Sequence, residues 1–249
     1  MLATIQHKEQ TFKVNLLESI DISMPLQTGT GHANAWYVPP ISIEPVRMGN
    51  WVGDVNQGAS VNFRNISFNP HGHGTHTECV GHISKEPYSV NQSLHCYFFM
   101  AALISISPEL QPNGDQVITA AQIANCLSNN TTEAIVIRTL PNTNEKLSKQ
   151  YSNSNPPYIH HDAIKILLDK GVQHLLIDLP SVDKEVDDGL LLAHKAFWEY
   201  PQHTNTLRTI TEFIYVPNEV ADGPYLLNLQ TAPFENDATP SRPLLYRLL

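Results

Sequence analysis

Four histidines and one glutamate lie within twelve residues of this chain, in a segment that also holds three glycines. They are His71, His73, His76, Glu78 and His82. Neutral imidazole nitrogens and carboxylate oxygens are the usual protein ligands of zinc and manganese. A single histidine is more often a surface or core side chain, but this density among glycines favours a metal site.

The spacing within the segment separates candidate ligands from a candidate for proton transfer. His76 and Glu78 are two residues apart, so on an extended strand their side chains point to the same side. His82 is close enough in sequence to act as a general acid or base beside the metal. A bound metal lowers the pKa of its water toward about 7 and makes hydroxide available for attack. The pattern therefore predicts a metal-dependent hydrolase.

Composition limits the partners of such a site. The formal net charge is -9 with only 15 lysines and arginines, which disfavours nucleic acids and anionic membranes as partners. The polar start, Met1 to Asn15, lacks the apolar stretch of a secretion signal. Cys79, Cys96 and Cys126 lack the spacing of a zinc ribbon, and we expect them to be reduced thiols. We therefore expect a cytoplasmic protein that acts on a small molecule.

The histidine segment needs elements that hold it in place. Ser60–Phe68 alternates apolar and polar residues with a shift in the middle, which predicts a strand with a bulge leading into His71. Upstream, prolines interrupt an irregular stretch, and residues 28–58 are expected to form a loop-rich arm. A long irregular region of this kind usually covers a site or a partner.

The second half of the chain alternates between helical and strand-like periodicity, which predicts one mixed α/β domain over residues 1–249. The predicted helices are Thr119–Leu127, His161–Lys170 and Gly189–Trp198. The predicted strands are Ala134–Arg138, Gln173–Asp178 and Thr209–Val216.

With these motifs the sequence resembles the cyclase family, which includes bacterial kynurenine formamidase (arylformamidase) and isatin hydrolase. The family signature is His-x-Gly-Thr-His-x-Asp-x-x-x-His, and Gly74-Thr75-His76 matches its Gly-Thr-His. Glu78 falls on the metal-bridging Asp of the family and His82 on its catalytic His.

Further motifs occur in the family's order along most of the chain. They are Asp21-Ile-Ser-Met-Pro25-Leu near the start, Gly171 through Asp178-Leu-Pro180-Ser181-Val-Asp183, the later His194 and Glu212, and the tail from Ala232-Pro233 to Arg242-Pro. In the family, the later His binds metal and the Glu bridges metals.

The resemblance implies a fold, a reaction and an assembly. It implies the swivelling β/β/α fold, with a mixed sheet and flanking helices. One or two zinc or manganese ions would be held by His76, Glu78, His194 and Glu212. Metal-bound hydroxide would cleave a C–N amide bond in a formamide or small cyclic amide, with His82 as the general acid/base. Trp36 would cover the substrate, and the protein would form a homodimer or homotetramer.

The sequence departs from the family pattern at the first metal-binding His, which falls on Gly72. His71 and His73 flank it, and we take His73 as the replacement, with His71 as the alternative. The segment between His194 and Glu212 is longer than expected, which leaves His203 as an alternative to His194.

Two other functional readings compete with a metal-dependent hydrolase. The substitution at Gly72 allows a non-catalytic or ligand-binding member of the family with an altered metal site. Cys79 lies between His76 and His82, but lone cysteines are usually small buried apolar residues, so thiol catalysis is disfavoured. Asp178 and Asp183 are predicted to support the site and organise a turn rather than bind metal.

Overall fold

The computed structural model describes residues 1–127 and 131–249, and its architecture is a mixed α/β fold built on one large sheet. In chain order the strands are β1 (Leu2–His7), β2 (Gln10–Asn15), β3 (Ile20–Asp21), β4 (Ser42–Pro45), β5 (Arg47–Met48), β6 (Trp51–Val52), β7 (Arg64–Ser67), β8 (His76–Glu78), β9 (Phe98–Ile106), β10 (Glu109–Leu110), β11 (Gln116–Ile118), β12 (Ala134–Thr139), β13 (Tyr158–Ile159), β14 (His174–Ile177), β15 (Thr209–Glu212), β16 (Gly223–Thr231) and β17 (Ala238–Arg247). The α-helices are α1 (Val90–Ser93), α2 (Ala120–Leu127), α3 (His161–Asp169) and α4 (Leu192–Trp198).

The large sheet closes on itself into a barrel-like ring of seven strands. The spatial order is β16-β9-β12-β14-β15-β8-β17, β16 also pairs with β17, and β3 pairs with β17 as an eighth strand. The strands β9, β12, β14 and β15 are parallel to one another. In contrast, β8, β16 and β17 pair antiparallel with their neighbours. This arrangement confirms the predicted α/β class with a mixed sheet.

The central strand β12 shows how the sheet separates two apolar cores. All six of its residues are buried, as expected for a parallel strand covered on both faces. Ile135 and Ile137 join the core beneath the helices, whereas Ala134 and Val136 join the core on the other face. The helices contribute to the first core through Ile123, Leu127, Ile164, Leu167, Phe197 and Trp198.

The flanking helices largely follow the predicted periodicity, with one difference at the start of α4. The helix was expected from Gly189 but begins at Leu192. Before it, the Asp187 carboxylate accepts hydrogen bonds from the backbone N–H groups of Gly189 and Leu191 and so forms a turn. Among the helices formed by residues 1–127 and 131–249, none is long and apolar enough to cross a membrane.

The short strand β8 carries the central part of the histidine segment into the sheet. It lies between β15 and β17, and its three residues are buried. The register places His76 opposite Glu212 and Glu78 opposite Ile210 on one side. On the other side, Glu78 is opposite Ala238. Both neighbours therefore fix the backbone of β8.

The region predicted as an arm, residues 28–58, contains the short strands β4, β5 and β6. Strand β5 pairs antiparallel with β6, and β4 pairs antiparallel with β7, which follows the arm. The strand expected over Ser60–Phe68 is shorter and covers only Arg64–Ser67. Several large apolar side chains on this ribbon (residues 42–67) are exposed, including Met48, Phe63 and Ile66. The ribbon therefore presents an apolar surface to solvent.

The buried His174 makes the stability of the sheet depend on pH. Burial lowers the pKa of His174 to about 4, and its ring packs 4.0 Å from that of Phe99, centroid to centroid. Because the unfolded pKa is near 6.5, the stabilisation from this neutral ring is present above that value and is lost as pH falls toward 4. We expect this group to contribute about 2 kcal/mol to the loss of unfolding free energy between pH 7 and pH 5.

Urea unfolding of wild type and His174→Phe at the two pH values measures this contribution. The variant should lose about 2 kcal/mol less than wild type on acidification. The exposed His203 provides a control, and His203→Gln should follow wild type. An equal loss of stability in His174→Phe and wild type would contradict the assignment.

Candidate metal centre

The strand β8 presents His76 and Glu78 on one side, as their two-residue spacing predicts. Both side chains are completely buried. The Nε2 atom of His76 lies 3.3 Å from Oε2 of Glu212, and Glu78 Oε1 lies 3.1 Å from Nε2 of His194. Thr77 points to the other side, where its hydroxyl lies 2.8 Å from that of Thr211. His76 and Glu78 therefore face the candidate site, whereas Thr77 makes a structural contact on the opposite side of the strand.

The Gly74-Thr75 pair before His76 fixes the entry to β8. Gly74 has a φ of +67°, a left-handed conformation that favours glycine. The Thr75 hydroxyl accepts a hydrogen bond from the backbone N–H of Met24 at 2.7 Å and donates one to the backbone carbonyl of Phe213. Thr75 therefore joins two other chain segments at the point where the site begins.

His194 enters the site from the first turn of α4 and is held by Asp183. Its Nδ1 atom lies 2.6 Å from Asp183 Oδ2, and the same carboxylate accepts the backbone N–H groups of Ala193 and His194. The ring is thereby oriented with Nε2 toward Glu78. His203, the alternative, is exposed in the turn after α4 and lies outside this cluster.

Glu212 ends β15 and lies beside both buried histidines. One carboxylate oxygen accepts the backbone N–H of Val182 at 3.0 Å. The same oxygen lies 3.9 Å from Nε2 of His194, and the other lies near His76. The structure thus brings together His76, Glu78, His194 and Glu212, the four residues that the resemblance placed around the metal.

His71, rather than the preferred His73, joins the cluster. The Nδ1 atom of His71 lies 3.2 Å from Oε2 of Glu78. The His73 ring instead lies against backbone: Nε2 is 2.9 Å from the carbonyl oxygen of Pro39, and Nδ1 is 2.9 Å from the backbone nitrogen of Asn69. His73 is therefore a buried structural residue.

Lack of space explains why a glycine stands at position 72. A Cβ atom there would lie 2.5 Å from Val38 Cγ2 and 3.1 Å from the carbonyl oxygen of Ala35. The backbone N–H of Ala35 also donates to the Gly72 carbonyl at 3.1 Å. The chain packs too tightly at position 72 for a histidine, so the ring comes from the preceding residue.

His82 occupies the open side of the cluster. It ends the 3-10 turn Val80–His82, and its side chain is 31% exposed, unlike the buried histidines. Its Nε2 atom lies 3.9 Å from Glu78 Oε2, and its Nδ1 atom lies 3.5 Å from Asp237 Oδ2. Asp237 was given no role by the sequence, because only the pairing of β17 with β8 brings it here.

The charges of the cluster are strongly coupled. Burial disfavours the Glu78 carboxylate, but the electrostatic interaction with His82 and the hydrogen bond from His194 hold its pKa well below the usual value. Burial also opposes a charge on His71, yet the interactions with Asp237 and Glu78 raise the pKa of His71 to about 10. The buried carboxylates therefore favour a cationic neighbour, whether an imidazolium or a metal ion.

Two buried atoms that make no hydrogen bond fit a metal ion. They are His76 Nε2, which lies 3.3 Å from Glu212 Oε2, and Glu78 Oε2, which lies 3.2 Å from His71 Nδ1. Candidate ligand atoms lie within 4.8 Å of one another in the set His71, His76, Glu78 and again in the set Glu78, His82, His194. Imidazole nitrogens and carboxylate oxygens suit zinc or manganese. Glu78 belongs to both sets.

Trp36 is connected to the cluster only through an apolar group, whereas Cys79 follows Glu78 directly in the sequence. Trp36, half-buried with a φ of +62°, packs against an apolar group that contains Phe213. The Phe213 ring is 6.2 Å from that of His76, centroid to centroid. Cys79 is fully buried and burial raises the pKa of its thiol, so it lacks the thiolate that nucleophilic catalysis requires.

The chain is similar to a known protein family in sequence and to several solved structures in fold. Residues 20–184 match the family model named Cyclase. A search of the curated proteins gave no match. A solved structure described as a potential metal-dependent hydrolase with cyclase activity superposes with a TM-score of 0.65 at 16% identity, covering 92% of this chain and 97% of the other.

Two isatin hydrolases show the same likeness. One, bound to the product analogue thioisatinate, has a TM-score of 0.66 at 15% identity, covering 93% of each chain. Isatin hydrolase A from Labrenzia aggregata has a TM-score of 0.67 at 13% identity, covering 92% of this chain and 93% of the other. These structures share the fold of this chain.

The packing at Gly72 predicts a specific loss of stability. Gly72 lies outside the left-handed region, so the constraint there is space rather than backbone conformation. We expect Gly72→Ala to lower the free energy of unfolding by about 1–3 kcal/mol through overpacking, as measured by urea unfolding.

Two further variants make the Gly72 test specific. Adding Val38→Ala to Gly72→Ala should recover part of the loss, because it removes the nearest atom. Gly31→Ala serves as a control, since its Cβ would come no closer than 3.9 Å to another side chain. Wild-type stability in Gly72→Ala would contradict the packing argument.

Proposed function

This chain belongs to the Cyclase family, and we propose that it is a metal-dependent hydrolase that cleaves the C–N amide bond of a formamide or a small cyclic amide. The observation that carries the proposal is the pair of buried atoms that make no hydrogen bond, His76 Nε2 and Glu78 Oε2, within a cluster of imidazoles and carboxylates. Buried polar atoms without hydrogen bonds are costly in a folded protein. A bound cation would satisfy both.

The residues of the cluster divide into ligands and supports. His71, His76, Glu78, His194 and Glu212 would hold one or two zinc or manganese ions. When bound, such an ion polarises a substrate carbonyl and lowers the pKa of a water molecule. Asp183 orients His194 through its Nδ1 atom, an arrangement that is common around metal-binding histidines.

His82 is the residue best placed to move a proton. It is the most exposed imidazole of the cluster, so a substrate can reach it, whereas His76 and His194 are buried. Its Nε2 atom faces the Glu78 side of the site. We assign it the acceptance of a proton from the attacking water and the delivery of that proton to the departing nitrogen, which allows that group to leave as a neutral amine.

His71 weakens the case for a non-catalytic member of the family. That alternative depended on the ligand missing at Gly72. The His71 ring lies next to Glu78 and therefore offers a nitrogen to the site from the adjacent backbone position. The donor set thus remains as large as the family pattern requires.

The proposal also includes substrate binding by Trp36, assembly into a homo-oligomer and a cytoplasmic location. We assign Trp36 to substrate binding, because it packs against the group that includes Phe213 beside His76. We propose a homodimer or homotetramer that uses the exposed apolar side chains of the ribbon. The free cysteines Cys79, Cys96 and Cys126 support a cytoplasmic location.

Metal analysis tests the central proposal. We expect protein purified without chelator to contain zinc or manganese and to hydrolyse isatin or an N-formyl aromatic amine. Chelator should abolish this turnover and added metal should restore it. Trace metal alone, with no gain in hydrolysis when zinc or manganese is added, would overturn the proposal.

Substitution of His82 separates proton transfer from metal binding. We expect His82→Gln to lower kcat/KM by about 10²- to 10⁴-fold, the usual contribution of general acid–base catalysis. Metal content, measured by mass spectrometry, should stay at the wild-type level. Unchanged turnover in this variant would remove His82 from the mechanism.

Cys79→Ser provides a matched test of the thiol alternative. Because Cys79 is adjacent to Glu78 but is buried away from solvent, we expect the variant to keep both metal and hydrolysis. Loss of turnover with metal still bound would instead indicate that the thiol takes part.

A further inference from the structure

Asp237 lies immediately before β17 and is held firmly at the edge of the metal centre. Its backbone carbonyl accepts the N–H of Cys79 at 3.0 Å, which extends the pairing of β17 with β8. Its Cβ atom lies 3.2 Å from the position that a Cβ on Gly81 would take. The carboxylate therefore projects from a fixed backbone.

One oxygen of this carboxylate faces two imidazoles. Asp237 Oδ2 lies 2.9 Å from Nε2 of His71 and 3.5 Å from Nδ1 of His82. The two rings are adjacent, with centroids 4.2 Å apart and planes inclined by 30°. Asp237 is thus the common neighbour of a candidate ligand and the candidate proton carrier.

The opposite nitrogens of both rings face a second carboxylate. His71 Nδ1 and His82 Nε2 lie 3.2 Å and 3.9 Å from the same oxygen of Glu78. That oxygen is one of the two buried atoms of the site that make no hydrogen bond. Each imidazole is therefore placed between Asp237 on the outside and the metal centre on the inside.

We propose that Asp237 is a positioning residue that fixes which nitrogen of His71 and of His82 carries the hydrogen. A neutral imidazole has one N–H group, and an acceptor beside one nitrogen places the hydrogen there. With both rings neutral beside a bound metal ion, Asp237 Oδ2 would favour the hydrogen on His71 Nε2, 2.9 Å away, and on His82 Nδ1, 3.5 Å away. The lone pairs of His71 Nδ1 and His82 Nε2 would then be directed to the centre. This inference rests on the proposed function, in which His71 binds metal and His82 carries a proton.

The displaced first ligand gives Asp237 a particular importance in this chain. Gly72 leaves no space for a side chain, so the ring at the first ligand position comes from His71. That ring is 20% exposed, whereas His76 is completely buried. Packing alone holds His71 less firmly, and the hydrogen bond to Asp237 supplies the orientation that burial gives to His76.

Zinc affinity tests the effect on His71. Competition with a chromophoric chelator gives the zinc Kd of wild type, Asp237→Asn and Asp237→Ala. We expect Asp237→Ala to raise the Kd by roughly 10- to 100-fold, the usual effect of removing the partner of a ligating histidine. Asp237→Asn, which keeps an acceptor oxygen of the same shape, should cause a smaller rise.

Glu235→Gln is a matched control in the same loop. Its carboxylate bonds to Ser89 and Asn91, outside the cluster, so the zinc Kd should stay at the wild-type value. Equal rises in Glu235→Gln and Asp237→Ala would point to a general disturbance of the loop and would overturn the proposal.

Nitrogen NMR of the zinc-loaded protein gives a readout that is independent of turnover. Long-range proton–nitrogen spectra should show the hydrogen of His82 on Nδ1 in wild type. In Asp237→Ala the population with the hydrogen on Nε2 should increase, although the protein remains folded. A purely structural role of Asp237 would not move this equilibrium.

The outcomes distinguish this inference from the proposed function. Unchanged zinc Kd and unchanged His82 spectra in folded Asp237→Ala would overturn the role of Asp237, even if the wild type hydrolyses amides. Shifts of both in the expected direction would support it, even if the wild type binds zinc without hydrolysing any amide tested. Wild-type protein with no measurable zinc affinity would overturn both.

Discussion

The completely buried carboxylate of Glu78 is the constraint on which the rest of the site depends. A charged group taken out of water is costly unless opposite charges and hydrogen bonds compensate for it. The histidines His71, His82 and His194 surround this carboxylate, and each of them has a further carboxylate partner. The result is an alternating shell of imidazoles and carboxylates that needs a rigid backbone. The short strand β8 provides it, because both of its edges are paired.

The sequence predicted the elements whose signals are local. Helix α3 and the strands β12 and β14 lie close to the predicted ranges, since apolar periodicity and a terminal glycine mark them directly. The strand expected over Thr209–Val216 begins as predicted but already ends at Glu212. The start of α4 was misjudged, because Asp187 forms a turn where periodicity suggested a helix. The length of β7 was overestimated, since the alternation of apolar and polar residues in Ser60–Phe68 continues beyond the residues that pair with β4.

In the site, too, some residues could be predicted from local spacing, whereas others depend on contacts with distant segments of the chain. His76 and Glu78 lie on one strand, and their two-residue spacing places them on the same side of it, as predicted. The choice between His71 and His73 depends on Val38 and Ala35, which crowd position 72 from a distant segment. Asp237 acts through partners on other elements, so no periodicity in its own segment could reveal it. Asp183 was expected to support the site and organise a turn, and its carboxylate accepts the backbone N–H groups of Ala193 and His194.

Because β8 pairs with the late strand β17, the site can be completed only near the end of synthesis of the chain. His71 and Asp237 are separated by 166 residues along the chain, and His194 and Glu78 by 116. At translation rates of roughly 5–20 residues per second, the histidine segment leaves the ribosome roughly 8–33 s before Asp237. Throughout that interval His71 lacks Asp237, and Glu78 lacks His194 until 116 further residues have been synthesised. A nascent chain thus exposes these candidate ligands before the side chains that complete the cluster exist.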